Sequence, residues 1–330
     1  MAVELYIQKD KQNVFIPIVE GSITLQQEWK GAPSKLTFTV VKDSVLGDNG
    51  GFNEGVPVAL YVNGKGVFMG YVFTKSRDKE HRIECVAYDQ LRYLKNKATY
   101  VYTKKKANEL VKMIADDFKL DCGQLDDTEF VIPQRIRDDE TMFDIIQDAL
   151  DLTFDSKGKL YVLYDDFGKI KLKNIENMKL NRLIDDETVQ NFDYSTSIDD
   201  DTYNSVLLIE EVNDENGNTK RVPYTAKDEG NMAKWGTLLY SQTIQGTTNG
   251  QALANAILKL KNRKTRKLTL NGCLGDIEVR AGCSLPVHLN LGDVQAQALR
   301  SRFVCESVTH TFQGDTHFMD LVIADTGVGK

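Results

Sequence analysis

Short runs of alternating apolar and polar residues dominate residues 1–95. A period of two suits strands that bury one face. Val3, Leu5 and Ile7 alternate, then Val14, Ile16 and Ile18, then Leu36, Phe38 and Val40. Val56, Val58, Leu60 and Val62 lead into Asn63-Gly64, a dipeptide that favours the positive φ angles of a type I′ turn. A hairpin is therefore expected from Val67 to Thr74, with Asp78-Lys79-Glu80 as the next turn. Strands this short and this closely spaced predict a small barrel or sandwich.

The stretch IECVAYDQLRYLKNKATYVY, from Ile83 to Tyr102, breaks the pattern. It alternates as far as Tyr88, then spaces Leu91 and Leu94 three apart and leaves through a basic, aromatic exit. Beyond it the period becomes helical. Ala107, Leu110, Val111, Ile114, Ala115 and Phe118 share one helical face, with Thr103 as the expected N-cap. Lys104, Lys105 and Lys106 would then sit in a first turn whose dipole they oppose, either solvated or used by a partner. A second helix is expected near Asp139 to Asp151, with Met142, Ile145, Ile146, Ala149 and Leu150 on its apolar face and Asp138, Asp139 and Glu140 at its N-terminus. KLYVLYDDFGKIKLKN reads as a hairpin whose turn contains Gly168.

The remainder returns to strands. YNSVLLIEEVNDENGNTKRVPYT reads as a long hairpin around Asn216-Gly217. One helix interrupts, carrying Ala252, Leu253, Ala256, Ile257 and Leu260 on one face after a cap at Thr248 or Asn249. The tail ADTGVGK is expected to fray. Three parts result: a β domain over residues 1–95, an α+β insert over 96–180, and a second β domain over 181–330 with its helix at about 249–263.

Two segments echo one another. Glu54 to Asp89 and Ala281 to Asp325 each begin at a glycine (Gly55, Gly282) and an apolar strand. Each continues into a long hairpin opening on Phe (Phe68, Phe303), bends at a short polar turn (Asp78-Lys79, Gly314-Asp315), and ends in an Ala near an Asp (Ala87 and Asp89; Ala324 and Asp325). The echo reads either as shared β grammar or as two similar β domains flanking an insert. Duplicated modules let a ring carry twice the apparent symmetry of its oligomer.

Signs of chemistry are few. The chain lacks G-x-S-x-G, H-E-x-x-H and G-x-x-x-x-G-K-[ST], so no catalytic, cofactor-binding or metal-binding residue is assigned and no enzyme is expected. GKGVFMG lies in a β-hairpin, without the strand-to-helix turn that presents amides to a phosphate. Of the four histidines, His81, His288, His310 and His317, the last two flank one hairpin turn with Asp315 between them; solvated histidines are expected there, because a metal site would need more ligands. The acidic clusters Asp185-Asp186-Glu187, Asp199-Asp200-Asp201 and Glu210 to Glu215 fit no calcium loop and read as solvated loops. The basic run from Lys259 to Lys267 lacks the interleaved aromatics of a nucleic-acid platform; it reads as a helix C-terminus followed by an exposed strand face, or as a surface for an acidic protein. A formal net charge of −7 also disfavours nonspecific nucleic-acid binding.

The five cysteines, Cys85, Cys122, Cys273, Cys283 and Cys305, are odd in number and show no C-x-x-C, which suits synthesis in a reducing cytoplasm. No apolar run approaches a membrane span, and MAVELYIQKDKQ carries no secretory h-region.

AYDQLRYLKNKATYVYTKKKANELVKMIADDFKL, ETMFDIIQDALDLT, GKLYVLYDDFGKIKLKNIENM, the opening VELYIQKDKQNVFIPIVEGSITLQQEWKGAPSKLTFTV and the segment YNSVLLIEE together resemble the XkdQ/YqbQ-type baseplate hub proteins of PBSX-like prophages, found also in phage-tail-like bacteriocins. The resemblance spans most of the chain and rests on the order of its parts. It implies a virion structural protein of a contractile tail: a homotrimer whose two β domains per chain form a pseudo-sixfold ring between a sixfold tail tube and a threefold spike. The implied partners are the tube protein, the central spike protein and other baseplate or tape-measure proteins, and the implied location is the tail baseplate. Two alternatives stand beside it, a hub-associated peptidoglycan hydrolase and a peptidoglycan-binding module, the second because the helix from Thr103 to Phe118 resembles part of a LysM unit.

Overall fold

Alternation becomes burial in the N-terminal strands, β1 (Val3–Lys9), β2 (Gln12–Ile16), β3 (Ile23–Glu28), β4 (Lys35–Val41), β5 (Pro57–Val62), β6 (Lys65–Arg77) and β7 (Arg82–Tyr88). Leu5, Ile7, Ile16, Leu36, Phe38 and Val40 are all 0% exposed in one core. The structure is a computed structural model that describes residues 1–9, 12–16, 23–41, 52–199, 201–213, 219–244, 249–290 and 302–324. Ile18, Asn216-Gly217, Thr248, most of the expected tail, and parts of the acidic clusters (Asp200 and Asp214–Glu215) lie outside these. Asn63 (φ 50°) and Gly64 (φ 76°) form the expected two-residue turn between β5 and β6, with Val62 opposite Lys65.

The chain divides into two compact units, one built from Met1–Asp193 and Thr269–Ile323, the other from Tyr194–Leu268. In the first, the strands after β7 and a 3-10 turn (Gln90–Lys95) are β8 (Lys97–Lys105), α1 (Ala107–Asp117), β9 (Cys122–Leu125), β10 (Ile132–Thr141), α2 (Met142–Lys157), β11 (Tyr161–Asp165) and β12 (Ile170–Asn174). Both helices expose the faces expected of them to a shared core: Leu110, Ile114, Met142, Ile145 and Ala149 are 0% exposed. The hairpin β11–β12 turns at Gly168, as expected, and β9 adds to it in parallel.

The helix starts differ from expectation. Thr103 and the first two lysines lie in β8, paired with β10, so α1 is capped at Lys106, whose N–H donates to Glu109 Oε2 at 2.8 Å. Only Lys106 stands at the helix end, and its Nζ reaches Asp127 at 2.8 Å. Asp138, Asp139 and Glu140 lie in β10, and Thr141 caps α2 by accepting the Asp144 N–H at 3.2 Å. Phe118 falls at the C-cap of α1 and is half-buried. Ile114→Ala is therefore expected to cost about 2–5 kcal/mol, and Phe118→Ala about 1–2 kcal/mol. Urea unfolding of the two variants checks this; equal losses would show that α1 packs along a different face.

The chain ends with β13 (Ile184–Asp185), β14 (Asn191–Ser197), β15 (Ser205–Asn213), β16 (Thr219–Lys227), α3 (Glu229–Trp235), β17 (Leu239–Ile244), α4 (Gly250–Lys261), β18 (Thr265–Leu274), β19 (Ser284–His288), β20 (Arg302–Gln313) and β21 (Thr316–Ala324). The second unit is a small α+β body of its own. β15 pairs with β16 antiparallel and with β17 parallel, and α4 closes the core of Val206, Leu208, Ile244, Ala254 and Ile257. α4 begins at the expected cap, Asn249, whose Oδ1 accepts the Ala252 N–H at 2.9 Å. α3 was not expected from the sequence, and it has no buried residue to give it a periodic signal.

Among the described strands, the main sheet runs β14-β18-β21-β20-β3-β4-β7-β6-β5-β1-β2, with β19 beside β20 and β13 beside β19. The protein is mainly β with an α+β insert. Among the described strands the sheet order is a path with ends at β14 and β2, and no closing pair joins them.

The sequence echo has a structural counterpart. Gly55 (φ 86°) and Gly282 (φ 87°) share a left-handed conformation that favours glycine. The Gly55 N–H donates to Val72 O at 2.7 Å, and the Val72 N–H to Val56 O at 3.0 Å. The Gly282 N–H donates to Cys305 O and the Cys305 N–H to Cys283 O, both at 2.8 Å. β5-β6-β7 and β19-β20-β21 are thus two copies of one strand-plus-hairpin unit. Their register aligns the pair Val58–Gly70 with Leu285–Phe303. Phe303 therefore stands where the first copy has Gly70, not Phe68 as the sequence comparison suggested. A Cβ at Gly70 would lie 2.2 Å from Tyr88 O, so the first copy leaves no room for a side chain there.

Candidate functional site: a buried junction around Asp89

The Ala-Tyr-Asp at the end of β7 is where the β strands hand over to the insert. Asp89 is 1% exposed, and its side chain accepts two backbone N–H groups from two elements. Its Oδ2 accepts the Ser34 N–H at 2.9 Å and its Oδ1 the Leu91 N–H at 3.0 Å, which caps the 3-10 turn. Its own N–H donates to Ser34 O at 3.2 Å. Burial, reinforced by the nearby Asp165 carboxylate, pushes the Asp89 carboxyl up to about 7, against the pull of its hydrogen bonds.

Gln90 carries the handover on. Its Nε2 donates to Asp165 Oδ2 at 2.7 Å and to Asp121 O at 3.2 Å, and its Oε1 accepts the Asp121 N–H at 3.0 Å. Asp165 accepts the Gly168 N–H at 2.7 Å, which shapes the β11–β12 turn, and burial raises its carboxyl too. From the C-terminal strands Arg280 reaches in. Its guanidinium lies 3.7 Å from the Tyr164 ring centroid and donates to Asp165 O at 3.1 Å. Burial lowers the Arg280 pKa, opposed by Tyr164 and the surrounding aspartates.

Close packing completes the junction. The Trp29 indole N–H donates to Tyr161 O at 3.3 Å. Phe167 packs on Gly66 and makes an edge contact with Tyr61 at 5.2 Å, and Val162 fills the space a Cβ at Gly282 would need. The aromatic exit also packs: Phe73 meets Tyr88 at 5.5 Å and Tyr93 at 6.2 Å, and Arg92 lies over Phe73 at 5.4 Å. Three separated stretches of sequence converge on one turn of the insert. Both Asp89 oxygens accept backbone N–H groups, which ties the start of the insert to Ser34.

The other residues singled out in the sequence lie elsewhere. His310 is 3% exposed, not solvated, because the alternation of β20 turns it inward. It meets His317 across the hairpin at 2.9 Å and Val279 O at 3.0 Å; burial holds it at about 3 and lowers His317 as well. His81 and His288 are exposed. No group of three or more potential metal ligands occurs among the described residues. Asp185 orders its own turn by accepting the Thr188 N–H at 3.1 Å. Glu210 is buried inside β15 and accepts from Tyr224 Oη at 2.9 Å, so that cluster is not a solvated loop throughout. Lys259 and Lys261 occupy the last turn of α4, and Arg266 and Lys267 lie in β18. All five cysteines are free. Among the described residues no helix is long and apolar enough to cross a membrane.

Solved structures with a similar fold include phage tail proteins. The 43 kDa tail protein of prophage MuSo2 from Shewanella oneidensis matches with a TM-score of 0.69 over 98% of this chain and 99% of its own, at 11% identity. An E. coli type VI secretion component, the c3393 protein, described as structurally similar to the T4 tail proteins gp27 and gp5, matches with a TM-score of 0.56 over 97% of this chain and 76% of its own, at 12% identity. At such identities the likeness defines the fold, which is that of phage tail proteins. The chain belongs to the YQBQ-like family, whose model matches residues 23–324. The phage-like element PBSX protein XkdQ of Bacillus subtilis (strain 168) is 29% identical over 98% of this chain and 97% of its own length.

Proposed function

We propose that this chain is a structural baseplate hub of a contractile tail, three copies of which form a ring between a sixfold tube and a threefold spike. The observation that carries the reading is the repeat: two strand-plus-hairpin units in one chain, built on glycines of the same conformation and the same hydrogen-bond pattern. Three chains with two such units offer six similar modules to the tube and three true repeats to the spike. The β parts within residues 1–95 and 181–330 would supply the ring, and the insert, about residues 96–180, would lie outside it or towards the spike. Family membership and the tail-protein fold support the same reading. Its partners would be the tube protein, the spike protein and neighbouring baseplate or tape-measure proteins, its place the baseplate of a phage or bacteriocin particle after assembly in the bacterial cytoplasm.

Mixing the purified chain with the spike protein of its own particle tests this. A complex of three chains with one spike trimer is expected by light scattering; a one-to-one complex of single chains would overturn the ring. The second reading, a peptidoglycan hydrolase, finds its best carboxylates in Asp89 and Asp165, and both are held by backbone N–H groups or Gln90. No clearing zone is expected on a cell-wall zymogram, and a clearing zone would overturn the structural reading.

A further inference from the structure

The second repeat carries a chemistry that the first lacks. In each repeat the left-handed glycine opens a bulge in which two residues face one. In the first, Gly55 and Val56 face Val72; in the second, Gly282 and Cys283 face Cys305. The register agrees: Ser284 pairs with Val304, which makes Cys283 and Cys305 the next residues along the two strands. Facing residues of an antiparallel pair have Cα atoms about 4.5–5.5 Å apart, inside the range a disulfide spans. The two thiols touch and are buried, Cys283 at 2% and Cys305 at 0% exposure. Val56 and Val72 hold the same two places in the first repeat and pack there as hydrophobes. Two valines thus satisfy the packing of this bulge, and two cysteines bring something more than packing.

The surroundings make the two thiols unlike. Cys283 lines a cleft of about 390 Å³, together with Arg280, Lys171, Lys179 and His310. Contact with the Cys305 thiol holds the Cys283 thiol below its ordinary value; burial opposes this, and the Arg280 backbone and guanidinium add to it. Cys305 donates from Sγ to Ser307 O at 3.3 Å. The same contact with Cys283, and burial, push its thiol well above the ordinary value. A thiol that ionises readily at a cleft, with a second thiol against it, suits the roles of attacking and resolving cysteine.

We infer that Cys283 and Cys305 form an oxidisable dithiol, in which Cys283 reacts with a peroxide from the cleft and Cys305 closes a disulfide across the bulge. The Cys283 sulfur attacks one peroxide oxygen, the O–O bond breaks, and the departing hydroxide leaves as water with the thiol's proton. The Cys305 sulfur then attacks the resulting Cys283 sulfenic acid; the S–O bond breaks, and the hydroxyl leaves with the Cys305 proton as a second water. Two thiols and one hydrogen peroxide become one disulfide and two waters. The site belongs to the single chain and does not depend on the ring reading above. In a reducing cytoplasm the pair stays as thiols; outside it, the disulfide ties the start of β19 to β20.

Oxidation of the purified full chain tests this. The folded, reduced protein is treated with hydrogen peroxide, its remaining thiols are alkylated, and its peptides are mapped without reduction. Two of the five thiols should be lost. One linked peptide pair should join Cys283 to Cys305, and the melting temperature should rise by about 5 °C, reversibly with dithiothreitol. Cys305→Val, which borrows the side chain of the first repeat, should leave Cys283 as a sulfenic acid that dimedone labels. Cys283→Val should leave Cys305 unlabelled, and the double valine variant should melt with the reduced wild type and show no shift with peroxide. If either single variant fails to fold, the wild-type peptide map decides alone. Five thiols retained in the treated wild type, or a link through Cys273, overturns the inference. Equal dimedone labelling of the two single variants overturns the assignment of roles.

Discussion

Replacing Phe38 by alanine should cost about 3–5 kcal/mol, enough to remove much of a typical domain's stability. Phe38 is 0% exposed in the middle of β4, opposite Cys85 of β7, within the core that also holds Leu36, Val40, Leu60 and Ile83. β4 stands between β3 and β7, so its core joins the strands that reach β20 on one side to the first repeat on the other. Neighbouring side chains are themselves held in a sheet and can collapse only partly into the space, which is why the loss should lie at the upper end for a large-to-small change. Guanidinium unfolding followed by tryptophan fluorescence reads it. A loss below about 1 kcal/mol would mean that this core does not hold the sheet together.

Asp89→Ala should cost about 2–5 kcal/mol, since it strands the Ser34 and Leu91 N–H groups in a buried site at about 1–3 kcal/mol each. The effect depends on pH. The folded carboxyl titrates near 7, above the ordinary unfolded value of about 3.9, so between these values the folded chain binds more protons than the unfolded chain. Asp89 therefore makes its largest contribution at low pH, and that contribution falls as pH rises towards 7, by up to about 1.4 kcal/mol per pH unit. His310 acts in the opposite sense: with its folded value near 3, stability falls as pH drops below about 6.5. Asp165, also raised, adds to the Asp89 trend. The difference between the wild-type chain and Asp89→Ala removes the His310 contribution, and it should shrink steadily from pH 4.5 to 7, about the range the two carboxyl values bound. A constant difference would show that Asp89 stays ionised in the fold.

The sequence was most legible where a local period decides burial. The alternation of Leu36, Phe38 and Val40 and the helical spacing of Leu110 and Ile114 correspond to fully buried positions. Asn63-Gly64 marked its turn because few other residues tolerate both φ angles. β8 and β10 were not legible, because their two-stranded ribbon pairs residues far apart in sequence and shows solvent Val101 and Ile136, which face one another. The junction was visible only at one end. An Asp directly after a strand and before a single turn signals a cap, but Ser34, Asp165 and Arg280 reach it through contacts that no local pattern encodes. The repeat showed the opposite balance: its glycines were readable, while the register that moves Phe303 opposite Gly70's place needed the hydrogen bonds.

The most direct measurement is the number and position of copies in an intact tail, read by electron cryomicroscopy of purified particles. The account predicts three copies on the tail axis, between tube and spike. Six copies, or a tail axis from which this chain is absent, would contradict it.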